Sequence, residues 1–414
     1  MALVKSQEDQ RLKPIKRLGT ILSAALLCAV GMVGAATPAF AANPRALPHI
    51  PVCPGVPAGF ARCHADVLAT PQGTPVANAT TPSGYNPAQF TTAYGVGNNA
   101  SGQTIAIVDA YDDPNIASDL ATYDSTWGLN KCSNGSCPFF TKVNQTGGTS
   151  YPRSDHGWAL EISLDVQIVH AICPNCNILL VEAKSNSFAN LLAAVDYAAA
   201  HANVVSMSWG GSEFSSETSG SYDGHFSNST KAFTASSGDN GYGVTYPSAS
   251  QHVVAVGGTT LNVSTTGTRT SETAWSGSGS GCSAYEAAES WQKGLSDWTS
   301  TNCGTKRAVA DVSADADPNT GAAIYDSFGD YGQTGWFQVG GTSLASPLIA
   351  SIYAIAGNFS TGAAPYTYGH VTYGTTLYDV TTGSNGSCST IMCNAGTGYD
   401  GPTGLGTPNG TGAF

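Results

Sequence analysis

The sequence predicts an α/β fold in which a mostly parallel central sheet has helices on both faces. The chain of 414 residues contains 49 glycines and only 11% charged residues, which suits a compact protein with a large core and long loops. Short, continuously apolar runs recur along it, and helical stretches separate several of them. Continuous rather than alternating apolar character is typical of strands that are buried on both faces.

Six runs are rich enough in β-forming residues to be predicted strands. In parallel sheets, functional side chains gather where the strands end, so the residues after each run are candidates for a site. The clearest helix between strands is Phe188–Ala202. No internal repeat or linker interrupts residues 85–414, so we expect one large domain there. The predicted strands are Thr104–Ala110, Asn177–Ala183, Asn203–Trp209, Lys231–Ser237, His252–Gly258 and Ala308–Ala314.

The N-terminus has the pattern of a secretory signal peptide over residues 1–41. A basic patch precedes an apolar run over 18–34, and Ala39-Phe40-Ala41 offers a cleavage site between small residues. A membrane anchor is the alternative, but the apolar run ends in small residues and Pro38. We therefore expect a secreted, extracellular protein that does not contact a membrane after signal removal.

The segment 42–84 is rich in Pro, Ala and Thr and shows no sustained period. It is predicted to be an extended arm or a short pro-segment with little core of its own. The formal net charge of the whole chain is −12. Such a surface repels nucleic acid and anionic lipid, so both are poor partner candidates, and we expect a monomer.

Ten cysteines follow the predicted signal peptide and fall into close sequential pairs. An even number in an exported protein indicates disulfides, and pairing of nearest neighbours is the simplest hypothesis. Cys173-Pro-Asn-Cys176 could instead be a redox dithiol or half of a metal site, but no second such pair completes a zinc site. The expected pairs are Cys53/Cys63, Cys132/Cys137, Cys173/Cys176, Cys282/Cys303 and Cys388/Cys393.

The stretch His156–Ile172 predicts a helix that is apolar on more than one side and yet contains two acids. Glu161 and Asp165 are four residues apart and share one helix face. Buried carboxylates are costly unless they share a proton or serve another group. The alternative is a chance pair of acids on a solvated edge, which is the commoner case for charged pairs on helices.

A candidate nucleophile lies much later, in the sequence GGTSLASP over 340–347. Ser343 follows two glycines that allow close approach of a ligand and precedes a predicted helix, Leu344–Gly357. A serine at this point is more often only the N-cap of the helix. As a nucleophile it needs a base, and the acidic helix offers a carboxylate, which favours activity in acid.

Two further segments end in acids within glycine-rich turns. Asp239 follows a predicted strand; when protonated it could donate a hydrogen bond to an oxyanion, although a simple turn-forming aspartate is the commoner case. Near the C-terminus, Asp379 and Asp400 combine with several glycine carbonyls, which are hard oxygen ligands suited to calcium. Glycine-rich turns with incidental acids are the alternative there.

Five motifs in one order make the chain resemble the sedolisin family of serine-carboxyl peptidases, whose fold resembles subtilisin. The resemblance covers about residues 82–414, and any one of the motifs is weak alone. The motifs are Glu161-x-x-x-Asp165, Ser236-Ser-Gly-Asp239, the stretch from Arg307 through Asp311 to Asp317, Gly341-Thr-Ser343-Leu-Ala-Ser-Pro347, and Asp379 with Gly396, Gly398 and Asp400.

The resemblance implies a subtilisin-like fold and a role for each matching residue. Ser343 would be the nucleophile of a peptidase acting on proteins or peptides, Glu161 its base and acid, Asp165 the orienting partner and Asp239 the oxyanion donor. Three residues would contribute to the substrate groove or extend the acid network, namely Asp109, Trp209 and Gly210. One calcium ion would be held by the carboxylates of Asp379 and Asp400 and the carbonyls of Val380, Gly396 and Gly398.

The chain departs from the family in one respect, since only about forty residues separate the predicted signal cleavage site from Pro82. A large folded pro-domain, usual in the family, does not fit there. Two other functions stay open. A subtilisin-type Ser-His-Asp enzyme would use His156 with Asp109 or Asp112, and a silent secreted binding protein would keep the fold without the chemistry.

Overall fold

A computed structural model of the chain describes residues 47–97, 102–129, 131–133 and 136–414. The predicted signal peptide lies outside these residues. The described strands, in chain order, are β1 (His49–Pro51), β2 (Arg62–Cys63), β3 (Asp66–Leu68), β4 (Ala77–Asn78), β5 (Thr104–Ala110), β6 (Phe140–Asn144), β7 (Asn177–Ala183), β8 (Val204–Met207), β9 (Trp209–Ser212), β10 (Ala232–Ser236), β11 (Thr245–Tyr246), β12 (Val254–Val263), β13 (Arg269–Ala274), β14 (Gly281–Ala287), β15 (Lys306–Val309), β16 (Val312–Asp315), β17 (Ala322–Asp330), β18 (Gln333–Gly340), β19 (Leu377–Tyr378) and β20 (Thr407–Pro408).

Helices connect many of these strands, and a short 3-10 turn covers Asp223–Phe226. The helices of the described residues are α1 (Pro87–Ala93), α2 (Ile116–Trp127), α3 (His156–Ile172), α4 (Phe188–His201), α5 (Ser290–Lys293), α6 (Trp298–Thr301), α7 (Thr342–Ala356) and α8 (Ala363–Gly369).

The central sheet has eight strands in the order β13-β12-β10-β8-β5-β7-β6, with β16 also paired to β12. Every pairing in it is parallel except that of β13 with β12. Residues 105–110 of β5 are all buried, and successive side chains of a strand point to opposite faces, so both faces of the sheet are covered. The predicted α/β fold is confirmed.

Two predicted strands are each divided between two sheets. The run Asn203–Trp209 splits at Ser208, because β8 belongs to the central sheet whereas β9 pairs with β2 and β11. The run Ala308–Ala314 splits in the same way, since β15 pairs with β14 and β16 joins the central sheet. Apolar character alone could not show where the chain leaves one sheet for another.

Helix α3 has the bounds that the sequence predicted and is buried along its length from Gly157 to Ile172. Its N-cap is Asp155, whose side chain accepts a hydrogen bond from the Trp158 amide at 3.2 Å. The helix packs against α7 and against β17. A helix enclosed in this way turns every face, including the one with its acids, toward protein.

The described part of the predicted arm, from residue 47 to residue 83, contains four short strands that join sheets formed with later parts of the chain. Strands β1 and β3 continue a sheet in the order β1-β3-β18-β17, and β2 pairs with β9. Val52, Cys53, Cys63 and Val67 of this segment are buried in the main core. We refer to residues 47–68 as the arm.

All five expected disulfides are present, so the pairing of nearest neighbours is confirmed. Cys173–Cys176 therefore closes a structural loop after α3. In the part of the chain that the structure describes, every helix is too short or too polar to cross a membrane.

Candidate active site

Three polar residues lie where adjacent strands of the central sheet end. Asp109 is the penultimate residue of β5, Ser208 follows β8, and Asp239 lies in the turn after β10. Because β5, β8 and β10 are parallel neighbours, their carboxyl ends meet at one edge of the sheet. This edge is the expected location of a site in an open α/β fold.

Ser343 lies at the same edge, in the first turn of α7. The N-cap is Gly341, whose φ of 88° a residue with a side chain rarely adopts, so Ser343 is not the cap that the alternative interpretation proposed. The Ser343 hydroxyl donates a hydrogen bond to the Ser208 carbonyl at 3.1 Å. The Ser343 amide donates to the His64 carbonyl at 2.9 Å.

Glu161 on α3 is fully buried, and neither of its carboxyl oxygens has a hydrogen-bond partner among the described residues. Burial raises its pKa well above the usual range, and the nearby carboxyls of Asp165 and Asp109 raise it further. The Ser343 hydroxyl opposes this shift because it lies close enough to stabilise the charged form. Helix α3 thus places the Glu161 carboxyl next to the hydroxyl of the candidate nucleophile.

Asp165 and Asp109 extend this acid cluster. Ser208 donates its hydroxyl to one oxygen of Asp165 at 2.9 Å, whereas the other oxygen of Asp165 and both oxygens of Asp109 have no partner among the described residues. Burial raises the pKa of Asp109 to about 8 and that of Asp165 well above its ordinary value. Acids this close titrate as a set rather than singly.

Asp239 is held on the other side of Ser343. One of its oxygens accepts hydrogen bonds from the Thr342 amide at 2.8 Å and the Thr342 hydroxyl at 2.7 Å, and the other has no partner among the described residues. Burial and the neighbouring Asp66 raise its pKa to about 8. Below that pH the carboxyl is protonated, so its free oxygen can donate a hydrogen bond.

Trp209 and Gly210, which the sequence placed at the substrate groove, lie on β9 beside the cluster. The Trp209 ring is fully buried, and its indole nitrogen donates to the Val108 carbonyl at 2.7 Å. Packing therefore accounts for the ring, and the backbone of Trp209 pairs with Cys63 of the arm. Gly210 faces the arm, and a β-carbon there would come within 2.7 Å of the His64 ring.

The histidine-based alternative finds no support in the geometry. His156 bonds to the Gly329 carbonyl at 2.8 Å and stacks on Phe328, while Asp112 is paired with Lys142. Among the described histidines, none has a ring nitrogen hydrogen-bonded to the Ser343 hydroxyl. The ionisable side chain next to this hydroxyl is the carboxyl of Glu161.

The chain is similar in sequence to one protein family and to several individual proteins. The model of the subtilase family matches residues 143–389. Sedolisin of Pseudomonas sp. (strain 101) is 30% identical over 375 residues, which cover 80% of this chain and 60% of sedolisin. Kumamolisin of Bacillus sp. (strain MN-32) is 30% identical over 370 residues, which cover 80% of this chain and 63% of kumamolisin.

The structure of Pseudomonas sedolisin, a serine-carboxyl proteinase in complex with pseudo-iodotyrostatin, superposes with a TM-score of 0.67 at 30% identity. The match covers 80% of this chain and 96% of that one. The chain belongs to the sedolisin branch of the subtilase family. It spans about three fifths of the length of sedolisin and kumamolisin, as the covered shares of 60% and 63% show.

The acidic C-terminal loop of this sedolisin-family chain brings Asp379 and Asp400 together. Asp379 accepts the Gly398 amide at 3.1 Å, and Asp400 accepts the Gly396 amide at 3.0 Å. Asp297 joins them, since it accepts the Tyr399 amide at 3.0 Å and its charge raises the pKa of Asp379, which burial also raises. Sequence reasoning missed Asp297 because a hundred residues separate it from the loop.

Four other residues of the site also escaped the sequence reasoning. Ser208 and Thr342 orient Asp165 and Asp239, and each is adjacent in sequence to a predicted site residue, Trp209 or Ser343, which is a signal that could have found them. His64 and Asp66 come from the arm, which shows no motif. Only the fold reveals that the arm reaches Ser343.

Proposed function

We propose that the chain is a secreted serine-type endopeptidase that hydrolyses peptide bonds in acid. Ser343 is the nucleophile, Glu161 the general base and acid, Asp165 its orienting partner and Asp239 the oxyanion donor. The observation that carries the proposal is a buried serine beside carboxyls with unpartnered oxygens, with no histidine ring bonded to its hydroxyl among the described residues. Buried, unpaired acids are costly, and they persist mainly where chemistry needs them.

The chemistry follows from the positions of the protons. Glu161 takes the Ser343 proton as the hydroxyl attacks a peptide carbonyl, and it then gives that proton to the leaving amine. The Ser343 amide and protonated Asp239 donate hydrogen bonds to the oxyanion. Water then releases the acyl group by the same steps in reverse order. Asp165 and Asp109 share the remaining protons and so tune the charge on Glu161.

The roles of two acids set opposite limits on the working pH. Asp239 must keep its proton to donate, so activity is expected to fall as the pH rises through the pKa of Asp239, about 8. The Glu161 cluster must release one proton to act as a base, so activity is also expected to fall as the pH drops below the range in which the cluster loses that proton. A bell-shaped dependence of activity on pH, in which neither side of the bell requires a histidine, supports the proposal.

The test is hydrolysis of a fluorogenic peptide from acid to neutral pH. Ser343→Ala and Glu161→Gln are expected to lower kcat/KM by roughly 10⁴-fold or more, with circular dichroism and unfolding unchanged. Asp196→Asn, at a carboxyl that is 58% exposed, is the matched control and is expected to retain full activity. Full activity of Glu161→Gln and loss in His156→Ala would favour the histidine-based alternative. No hydrolysis by the wild type in any condition would favour a silent binding protein.

Calcium binding near the C-terminus is a second part of the proposal. Two carboxylates and three backbone carbonyls are a donor set suited to calcium, and Asp379 and Asp400 already lie on one loop. The described residues contain no group of three or more His, Cys, Asp or Glu side chains arranged to hold a metal. An ion would thus depend on the carbonyls of Val380, Gly396 and Gly398, and it would neutralise the mutual repulsion of the acids.

A further inference from the structure

One wall of the cavity beside the candidate active site is formed by two paired strands. The cavity has a volume of 360 Å³, and Gly211, Ser212 and Thr245 line it on this side, while both sequence neighbours of Asp239 line it elsewhere. Strand β11 pairs antiparallel with β9, with Tyr246 opposite Gly211. Successive side chains of a strand point to opposite sides, so the Tyr246 ring lies behind the wall that Thr245 lines. Contacts of this ring therefore fix the position of the wall.

The hydroxyl of Tyr246 has no hydrogen-bond partner among the described residues, although the side chain is fully buried. The ring packs among aromatic side chains, with the centroid of the Phe188 ring 5.4 Å away. A buried tyrosine hydroxyl usually finds a partner. Burial raises the pKa of this hydroxyl, and nearby carboxyls raise it further, namely those of Asp223, Glu217 and Glu286. The hydroxyl is thus aimed into a group of acids.

Glu217, Asp223 and Glu286 are buried, and each has one carboxyl oxygen to which no described residue donates a hydrogen bond. They come from three separate segments, which are the loop after β9, the short 3-10 turn and β14. Buried carboxyls without donors are costly when they carry charge and cost much less when they keep their protons. The protons on these acids therefore determine whether the three segments stay packed around Tyr246.

Glu213 ties the loop after β9 to β14. One of its carboxyl oxygens accepts the Ser283 hydroxyl, and the other accepts the Ala284 amide at 3.1 Å. The Glu213 carboxyl also lies close enough to that of Glu217 for a hydrogen bond between them. Two carboxylates can only accept, so this bond forms only while the pair keeps a proton. We refer to four residues together as the acidic clamp, namely Glu213, Glu217, Asp223 and Glu286.

Basic side chains around the acidic clamp oppose its charges only in part. The titratable groups that face the clamp from the elements around it are Tyr222, Tyr246, His252, Lys306 and Arg307. Burial raises the pKa of Glu286 to about 7 despite Arg307, whose guanidinium is already engaged by Asp311. The Nε2 atom of His252 lies 3.9 Å from a carboxyl oxygen of Asp223, beyond hydrogen-bond distance. The charge of an ionised clamp would therefore be only partly neutralised.

The direction in which pH acts on the acidic clamp follows from burial. Burial raises the pKa of Glu217 to about 9, and it also raises that of Asp223 above its usual range. Each folded pKa exceeds the ordinary value of the side chain, so folding favours the protonated form. The stabilisation is complete below the unfolded pKa and is lost as the pH rises through the folded values, from about 7 for Glu286 to about 9 for Glu217. In acid the clamp is neutral, and above neutrality its carboxylates repel one another.

We propose that the acidic clamp positions the wall of the cavity and makes substrate binding depend on acid separately from the catalytic chemistry. This inference rests on the proposed function. With the clamp protonated, Tyr246 is held and β11 lies against β9, so the cavity keeps the shape that receives a substrate side chain. With the clamp charged, its segments separate and release the wall, so substrate binding weakens. The four acids are positioning residues, because they act on the substrate through Tyr246 and β11 rather than by contact.

The first experiment separates KM from kcat for hydrolysis of a fluorogenic peptide from acid to mildly alkaline pH. In wild type, KM is expected to rise about tenfold as the clamp ionises, because a wall held in about one molecule in ten lowers the competent fraction to that share. Glu217→Gln/Glu286→Gln keeps two hydrogen-bonding side chains that cannot ionise, so its KM should stay low while its kcat keeps the wild-type pH dependence. Asp196→Asn/Glu289→Gln removes two acids outside the clamp and should behave as wild type. An equal rise of KM in the clamp variant and in wild type would overturn the inference.

A second experiment measures the acidic clamp without catalysis and distinguishes this inference from the proposed function. Hydrogen exchange of Ser343→Ala over residues 213–226 and 281–287, corrected for the intrinsic effect of pH, is expected to lose protection about tenfold or more as the pH rises through neutrality. Adding Glu217→Gln and Glu286→Gln should preserve the protection. Protection that does not change with pH would overturn the clamp and leave the peptidase standing. Wild type that hydrolyses no peptide while this protection still depends on pH would overturn the proposed function, and with it the role in substrate binding, but not the response of the clamp to pH.

Discussion

Two buried charged groups of this chain differ in how completely their polar atoms are paired. Arg307 and Asp311 form an ion pair with both oxygens of the acid engaged, and backbone carbonyls of Ser250, Val253 and Ala308 accept the remaining guanidinium protons. Around Ser343, by contrast, five carboxyl oxygens of Glu161, Asp165 and Asp109 lack partners among the described residues. Complete pairing is typical of a structural role, and incomplete pairing of a functional one.

Removing one partner of the complete pair tests this distinction most strongly. Arg307→Met leaves Asp311 buried without its countercharge and is expected to cost about 3–5 kcal/mol of unfolding free energy. Arg153→Met, at an exposed arginine, is the control and should change stability by less than about 0.5 kcal/mol. Chemical denaturation measures both variants.

The corresponding substitution in the acid cluster should not lower the free energy of unfolding. Glu161→Gln removes a carboxyl that no group satisfies, so stability should stay the same or rise while activity disappears. If Arg307→Met and Glu161→Gln lowered the free energy of unfolding by similar amounts, complete hydrogen bonding would not distinguish structural from functional buried groups.

The acidic C-terminal loop is an intermediate case, because its carboxylates are paired only with amides and one hydroxyl and repel one another. Calcium at 100 times its Kd is expected to add about 2.7 kcal/mol of stability, and a chelator should remove it. Asp379→Asn should abolish the dependence of Tm on calcium, whereas Asp196→Asn should preserve it. A Tm that is insensitive to calcium in wild type would count against the site.

The pH dependence of stability offers a finer test of the cluster. The folded pKa of Asp109, about 8, lies above its ordinary value of 3.8, so folding favours the protonated form. Its contribution is fully present below the unfolded pKa and is lost as pH rises through the folded pKa, at roughly 1.4 kcal/mol per pH unit. Asp109→Asn should therefore raise Tm near neutral pH and change it little in acid. An equal effect at both pH values would contradict the raised pKa.

The sequence predicted the parts of the fold that depend on local pattern. Helix α3 and strands β5 and β7 have the predicted bounds, since apolar periodicity and β-branched residues determine such elements locally. The changes of sheet at Ser208 and after Val309 depended on pairing with distant strands, which no local pattern encodes.

The candidate site likewise contains some residues that local motifs predicted and others that they missed. Glu161, Asp165, Asp239 and Ser343 were predicted from motifs and lie together, although their chemical roles remain predictions. His64 was missed because its contribution is a backbone carbonyl, and any residue type supplies one. Contacts made through the main chain are invisible in composition and spacing, so only the path of the chain shows them.

The five bridges have one further consequence, because they span between 3 and 21 residues of sequence. A crosslink between near neighbours restricts the unfolded chain much less than one between remote segments. Each bridge therefore closes one local loop and joins no two remote segments of the chain. Reduction of one bridge should then loosen one loop without separating two parts of the sheet.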